Sequence, residues 1–220
     1  YSADEKSNVP LKEGKLFMTD TGGHYLEGST DITRTVALGE VGNIEKEHFT
    51  LVARAMLRLA NTVFLYGCSG ANLDCIAREV FWKEGLNFNH GTGHGVGYLL
   101  NIHEGPINFR WKEGERPAPA LEENMVITDE PGIYIEGSHG IRLENELLVR
   151  KTVKNEYGQF MNFEILTYVP IDLDAILPEK MSTEEKEMLN HYHKQVYEKV
   201  SPYLSEEERI WLKEYTRAVK

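Results

Sequence analysis

The chain has 220 residues, 41% hydrophobic and 27% charged, enough to bury the core of one or two domains. With 24 Lys+Arg against 35 Asp+Glu the formal net charge is −11, which argues against nucleic acid or an anionic membrane as partner, because both need clustered positive charge. Cys68 and Cys75 form no CxxC and no disulfide framework, which fits a reducing, cytoplasmic compartment. No apolar run approaches the roughly 18 residues of a membrane span. The chain opens on Tyr1 in a polar stretch, YSADEKSNVP, that reads as mid-protein loop, so a fragment is expected and a missing signal peptide proves little.

After a polar lead-in over residues 1–15, the runs LFMTD and DITRTV read as strands rich in Phe, Thr, Ile and Val. They carry Asp20 and Asp31, with Gly22-Gly23 and Glu27-Gly28-Ser29 as bends between them. Paired as a hairpin, they bring both carboxylates to one end. Two adjacent carboxylates repel unless they share a proton or a cation. Asn43 is placed to cap a helix over residues 44–66, ended by Gly67, and Asn72 to cap a second helix reaching about Glu84. Apolar residues recur at helical spacing in both, which read as scaffold.

The segment NHGTGHGVGYLLNIHEGP follows, residues 89–106. Glycines at alternate positions from Gly91 to Gly97 exclude a helix, so His90 and His94 are not the helical pair of a zinc protease. No Gly-Lys-Ser/Thr follows, so it is no phosphate loop. Three histidines, His90, His94 and His103, in so glycine-rich a setting exceed what packing needs. Residues 107–120 read as an exposed loop. The strand through Val126 runs into Glu130-Pro131-Gly132, where Pro131 holds Glu130 extended and Pro-Gly turns the chain. A continuous strand over residues 140–149 puts Ile141, Leu143, Leu147 and Val149 on one face and Arg142, Glu144 and Glu146 on the other. Arg142, two residues from Glu144, is placed to neutralise or orient it from behind. Asp20, Asp31, His94, Glu130 and Glu144 are thus candidate ligands for two divalent cations.

A last strand follows Phe160 and ends at Pro170, and residues 171–180 read as a linker. Ser182-Thr-Glu-Glu185 and Ser205-Glu-Glu-Glu208 are capping boxes that open two amphipathic helices. His191 and His193, on the first of these, read as surface or packing residues.

Together TDTGGHYLEGSTDITRT, HGTGHGVGYLLNIHEGP, DEPGIYIEG, GIRLENELLV and FEILTYVPIDLDAI resemble the catalytic domain of the aminopeptidase P (Xaa-Pro aminopeptidase) branch of the pita-bread metallopeptidases. The resemblance covers most of residues 15–215. It implies an α+β pita-bread fold over residues 1–172, truncated at its N-terminus, and a C-terminal helical extension over residues 173–220. It implies two divalent ions, with Asp31 and Glu144 bridging them, Asp20 completing one site, and His94 and Glu130 the other. Oxygen-rich ligation with one imidazole favours Mn²⁺, as does family habit, although Zn²⁺ or Co²⁺ occupy similar centres. By the same resemblance His90 and His103 contact substrate and help move protons, and Glu130 shuttles a proton to the leaving nitrogen. The substrate is a peptide with proline at its second position. A homodimer through the helical tail is a further implication.

The family also carries pita-bread residues, a substrate-binding histidine and an N-terminal domain upstream of the position where this chain starts. Prolidase and methionine aminopeptidase share the ligand set and are alternatives, as is a non-catalytic pita-bread module that binds peptides, although such modules typically lack ligands that are all kept here.

Overall fold

The computed structural model describes residues 4–112 and 118–220. Strands β1 (Lys15–Tyr25) and β2 (Gly28–Leu38) pair antiparallel throughout as a long hairpin. The strands run further than the composition indicates. Gly22-Gly23 lies inside β1, and the reversal is made by Leu26 and Glu27 alone, between the paired Tyr25 and Gly28.

Helix α1 (Asn43–Ala60) is nearly continuous in its buried face from Phe49 to Ala60. It stops well short of Gly67, because Asn61 Nδ2 and Thr62 Oγ1 donate back to the Leu57 and Arg58 carbonyls and strand β3 (Phe64–Leu65) is claimed by a sheet. Its N-cap is Gly42, with Asn43 already helical. Helix α2 (Gly70–Lys83) is capped by Ser69, and Asn72 is its capping-box partner at the third helical position rather than the cap.

The remaining strands are β4 (Gly93–Gly95), β5 (Glu104–Phe109), β6 (Val126–Asp129), β7 (Gly132–Ile135), β8 (His139–Arg142), β9 (Asn145–Asn155) and β10 (Gly158–Ile165). Among the described residues they build a six-stranded sheet of order β3-β10-β9-β6-β4-β5 and the small hairpin β7-β8. Two readings shift here. Residues 107–109, expected in a loop, belong to β5, and residues 113–117 of that loop lie outside the described residues. The strand expected over residues 140–149 is broken at Leu143-Glu144, where the chain leaves the β7-β8 hairpin for the large sheet. At that break the Glu144 N–H donates to the Thr33 carbonyl at 3.0 Å, tying the large sheet to β2.

The core lies between α1, α2 and the large sheet, centred on Phe49, Met56, Phe81, Phe109, Ile127 and Leu147, all fully buried. Beyond β10, residues 173–180 are not a plain linker but two 3-10 turns. Helices α3 (Thr183–Val200) and α4 (Glu206–Tyr215) carry both capping boxes that the sequence indicates. His193 is fully buried and its Nε2 accepts from the Ile171 N–H, while His191 is exposed, so both behave as packing or surface residues.

Candidate metal centre

Five segments meet near the middle of the β1-β2 hairpin rather than at one end of it, because the strands run on past Gly22-Gly23 and Asp20–Thr33 is the sixth of eleven paired positions. In its register Asp20 faces Thr33 and Asp31 faces Gly22, so the aspartates are diagonal neighbours on one face. Gly22 leaves room there, since a Cβ on it would lie 2.5 Å from the Thr30 carbonyl oxygen. His94 sits in β4, a three-residue strand whose flanking Gly93 and Gly95 run hard against neighbouring backbone. Glu130 follows β6, with its N–H donating 2.7 Å to the Thr92 carbonyl. Glu144 occupies the break between β8 and β9.

His94 Nε2 lies 3.5 Å from Asp31 Oδ2 and 3.5 Å from Glu130 Oε1. Its Nδ1 is 2.9 Å from the Gly95 carbonyl oxygen, so in the neutral ring Nδ1 carries the proton and the Nε2 lone pair faces the acids. Ligand atoms of Asp31, His94 and Glu144 all lie within 4.8 Å of one another. Asp20 is the most exposed of the five and is held by Arg142 Nη2 at 2.6 Å. A cleft of about 890 Å³ opens beside this cluster, and His90, His103, Tyr134 and Arg110 are among the residues on its wall. His103 packs edge-on against His94 with ring centroids 4.4 Å apart.

Residues 1–151 match Metallopeptidase family M24, and residues 159–219 match the C-terminal region of that family. The chain belongs to metallopeptidase family M24. It is 39% identical over 224 residues to the probable Xaa-Pro aminopeptidase P of Paracoccidioides brasiliensis, covering 100% of this chain and 36% of that protein. It is 38% identical over 222 residues to aminopeptidase P1 of Arabidopsis thaliana, covering 100% and 34%. The crystal structure of the X-prolyl aminopeptidase of Caenorhabditis elegans, described as a cytosolic enzyme with a di-nuclear active site, superposes with a TM-score of 0.91 at 37% identity, over 99% of this chain and 36% of that one. The prolidase of Pyrococcus furiosus gives 0.61 at 33% identity, over 74% and 44%. The fold is thus the pita-bread fold of the M24 peptidases, and the chain spans about a third of the length of the curated relatives named here.

The donor set, four carboxylates and one imidazole, suits divalent metal ions. Burial pushes the Glu144 carboxyl up to about 8, reinforced by the charges of Glu130 and Asp31. Burial also raises Glu130, against the opposing pull of His94 and Arg142. For His94 burial disfavours the cation, yet the hydrogen bonds to Asp31 and Gly95 and the charges of Glu130 and Asp31 outweigh it and lift the ring to about 9. Glu144 and Glu130, whose charged forms burial disfavours, around an imidazole drawn towards its charged form, are short of positive charge. Divalent cations ligated by oxygen and nitrogen would supply that charge, and no thiolate is present to select a softer ion.

Arg142 reaches Glu144 only through Thr33. Its Nε donates to Thr33 Oγ1 at 3.0 Å, and Thr33 Oγ1 donates to Glu144 Oε2 at 2.7 Å. Its Nη1 donates to Tyr134 Oη, which pairs with His90 Nε2 at 2.9 Å. Glu146 accepts the Asp31 N–H at 3.0 Å, and Thr128 Oγ1 accepts the His94 N–H at 3.1 Å. Thr33, Thr128, Tyr134 and Glu146 are supports that residue type alone does not mark. The signal available was spacing: Thr33 lies two residues after Asp31 and Thr128 two before Glu130, on the same strand faces as those acids. Asp129 is fully buried, and burial with the charges of Glu130, Glu144 and Asp74 holds its carboxyl well above the usual range.

Proposed function

We propose that the protein is a dinuclear-metal aminopeptidase that releases the N-terminal residue preceding proline. The observation that carries this is the convergence of Asp31, His94 and Glu144 on one point, with Asp20 and Glu130 beside them, at a cleft walled by His90 and His103. Asp20, Asp31, His94, Glu130 and Glu144 are the residues that would hold the ions. Bound there, two divalent ions supply an activated water and polarise a carbonyl.

The chain's own groups do the rest. The bond before proline is a tertiary amide without an N–H, and like any amide nitrogen its nitrogen must gain a proton to leave. Glu130, raised by burial and accepting from the Thr128 hydroxyl at Oε1, is placed to take a proton from the attacking water and deliver it to that nitrogen. His90 donates from Nδ1 to the Gly91 carbonyl at 2.7 Å and turns Nε2 to Tyr134 at the cleft wall, where it orients the substrate. Burial lowers its pKa, which keeps the ring neutral near neutrality. His103, beside His94 on the same wall, is the second substrate-facing histidine in this reading.

The ion we propose is Mn²⁺, with Zn²⁺ and Co²⁺ as substitutes. Residues 1–172 form the catalytic unit and 173–220 the helical extension. The assembly proposed is a cytoplasmic homodimer, supported by the cytosolic Caenorhabditis elegans relative and by the exposed Ile210 and Trp211 on α4.

Elemental analysis tests the centre: about two equivalents of metal are expected in the wild type and loss in Asp31→Ala and Glu144→Ala, with equal metal in all three refuting it. Arg-Pro-Pro incubated with the complete polypeptide that carries this chain, plus Mn²⁺, is expected to release Arg. Cleavage only of Xaa-Pro dipeptides would make it a prolidase, and release of Met from Met-Ala-Ser a methionine aminopeptidase.

A further inference from the structure

A second charged cluster lies behind the cleft. Asp74 and Arg78, one turn apart on α2, form an ion pair at 2.7 Å with side chains 0% and 2% exposed. Asp74 also accepts the Trp111 N–H at 2.6 Å and the Thr92 hydroxyl. Arg78 donates to the Phe88 carbonyl and the His90 carbonyl, each at 2.7 Å, and its guanidinium lies 4.0 Å from the Phe88 ring centroid.

Burying such a pair costs desolvation that a pair of leucines would avoid, so its yield must be sought in what it organises. Residues 87–92 have no helix or strand to hold them, yet they place His90 in the cleft. The pair supplies the missing anchors. It grips that segment at the backbone of Phe88 and His90 and at the side chain of Thr92, whose carbonyl in turn accepts the Glu130 N–H.

We infer that Asp74 and Arg78 are positioning residues: they set the His90 imidazole and, through Thr92, the Glu130 backbone at the distance the reaction requires. The inference rests on the function proposed above, and it is distinct from the ligand set, because neither residue lines the cleft at the metal end. A planar guanidinium holds the carboxylate and the two carbonyls from three separate nitrogens in fixed directions, whereas an ammonium has a single nitrogen to share among them.

The test is a double-mutant cycle on Xaa-Pro hydrolysis in the complete polypeptide, with Arg78→Lys, His90→Ala and the pair combined. Thr92→Val, which removes only the hydroxyl to Asp74, serves as a second and gentler variant. Displacing a reacting group by about 1 Å costs on the order of 10²-fold in rate, so Arg78→Lys is expected to lose kcat by that order with KM little changed. The combined variant is expected to be slower than His90→Ala by much less than the full Arg78→Lys factor, because the part of the arginine's effect that acts through the ring is already absent and only the part through Thr92 and Glu130 remains. Metal content is expected to stay at the wild-type level in Arg78→Lys and Thr92→Val. Multiplying losses in the combined variant, or wild-type kcat in both gentler variants, would overturn the inference while leaving the function intact. No hydrolysis of any Xaa-Pro peptide by the wild type would overturn the function and the inference with it.

Discussion

At the scale of single residues, the centre depends on side chains that never face substrate. Thr33 is fully buried, donates to Glu144 and accepts from Arg142, so one hydroxyl orients an acid and the arginine behind it. Partners of this kind typically contribute about 10–100-fold in metal affinity. Thr33→Val keeps the shape and deletes the hydroxyl, and competition against a metallochromic chelator is expected to show weaker binding by that order. Unchanged affinity would mean that Glu144 is oriented by backbone alone. The two readings of Arg142 differ for the same reason: adjacency in sequence places it beside Glu144, but the extended backbone turns its long stem towards Asp20 and Tyr134.

At the scale of elements, the places where local pattern succeeded are those where local chemistry is self-contained. The Ser182 box is one: Ser182 Oγ accepts the Glu185 N–H, and Glu185 Oε2 accepts the Ser182 N–H. Glu185 Oε2 also meets Arg54 Nε of α1 at 3.0 Å, so the cap locks α3 onto α1. Ser182→Ala is expected to cost about 1 kcal/mol, read as a lower thermal midpoint without loss of bound metal. The end of α1 is the opposite case. Val63 and Phe64 continue the helical apolar spacing, yet Phe64 pairs with Met161 of β10 and the helix ends before it. Likewise Glu144 sits at a break because β8 and β9 belong to different sheets, and alternation along one strand cannot show that.

At the scale of the whole molecule, Arg34 joins the C-terminal part to the candidate metal centre. From β2 it donates to the Glu144 carbonyl at 2.6 Å, to Asn145 Oδ1 at 2.7 Å, to the Val169 and Pro170 carbonyls, and to Tyr192 Oη of α3 at 2.8 Å. Next to Tyr192, His193 is lowered to about 4 by burial and by the charges of Arg34 and Arg217. A histidine depressed in the fold binds more protons when unfolded, so its contribution is present above the unfolded value of about 6.5 and is lost as pH falls through about 4. Urea midpoints are therefore expected to fall between about pH 6.5 and 4, and to fall less in His193→Gln, whose amide oxygen can still accept the Ile171 N–H. Parallel curves for the two proteins would remove His193 as the source.

The residue types of the candidate centre, their order and their separate local settings were legible in the chain, because ligand chemistry needs particular functional groups and glycine or proline beside them. The hairpin and both helix-capping boxes were legible too, since each is built from neighbours in sequence. Only the tertiary structure decided the register that makes Asp20 and Asp31 diagonal, the break that frees Glu144, and the buried Asp74–Arg78 pair behind His90. Each of these brings together groups far apart in the chain. Their energy comes from contacts and desolvation that exist only once the sheets and helices have closed on one another.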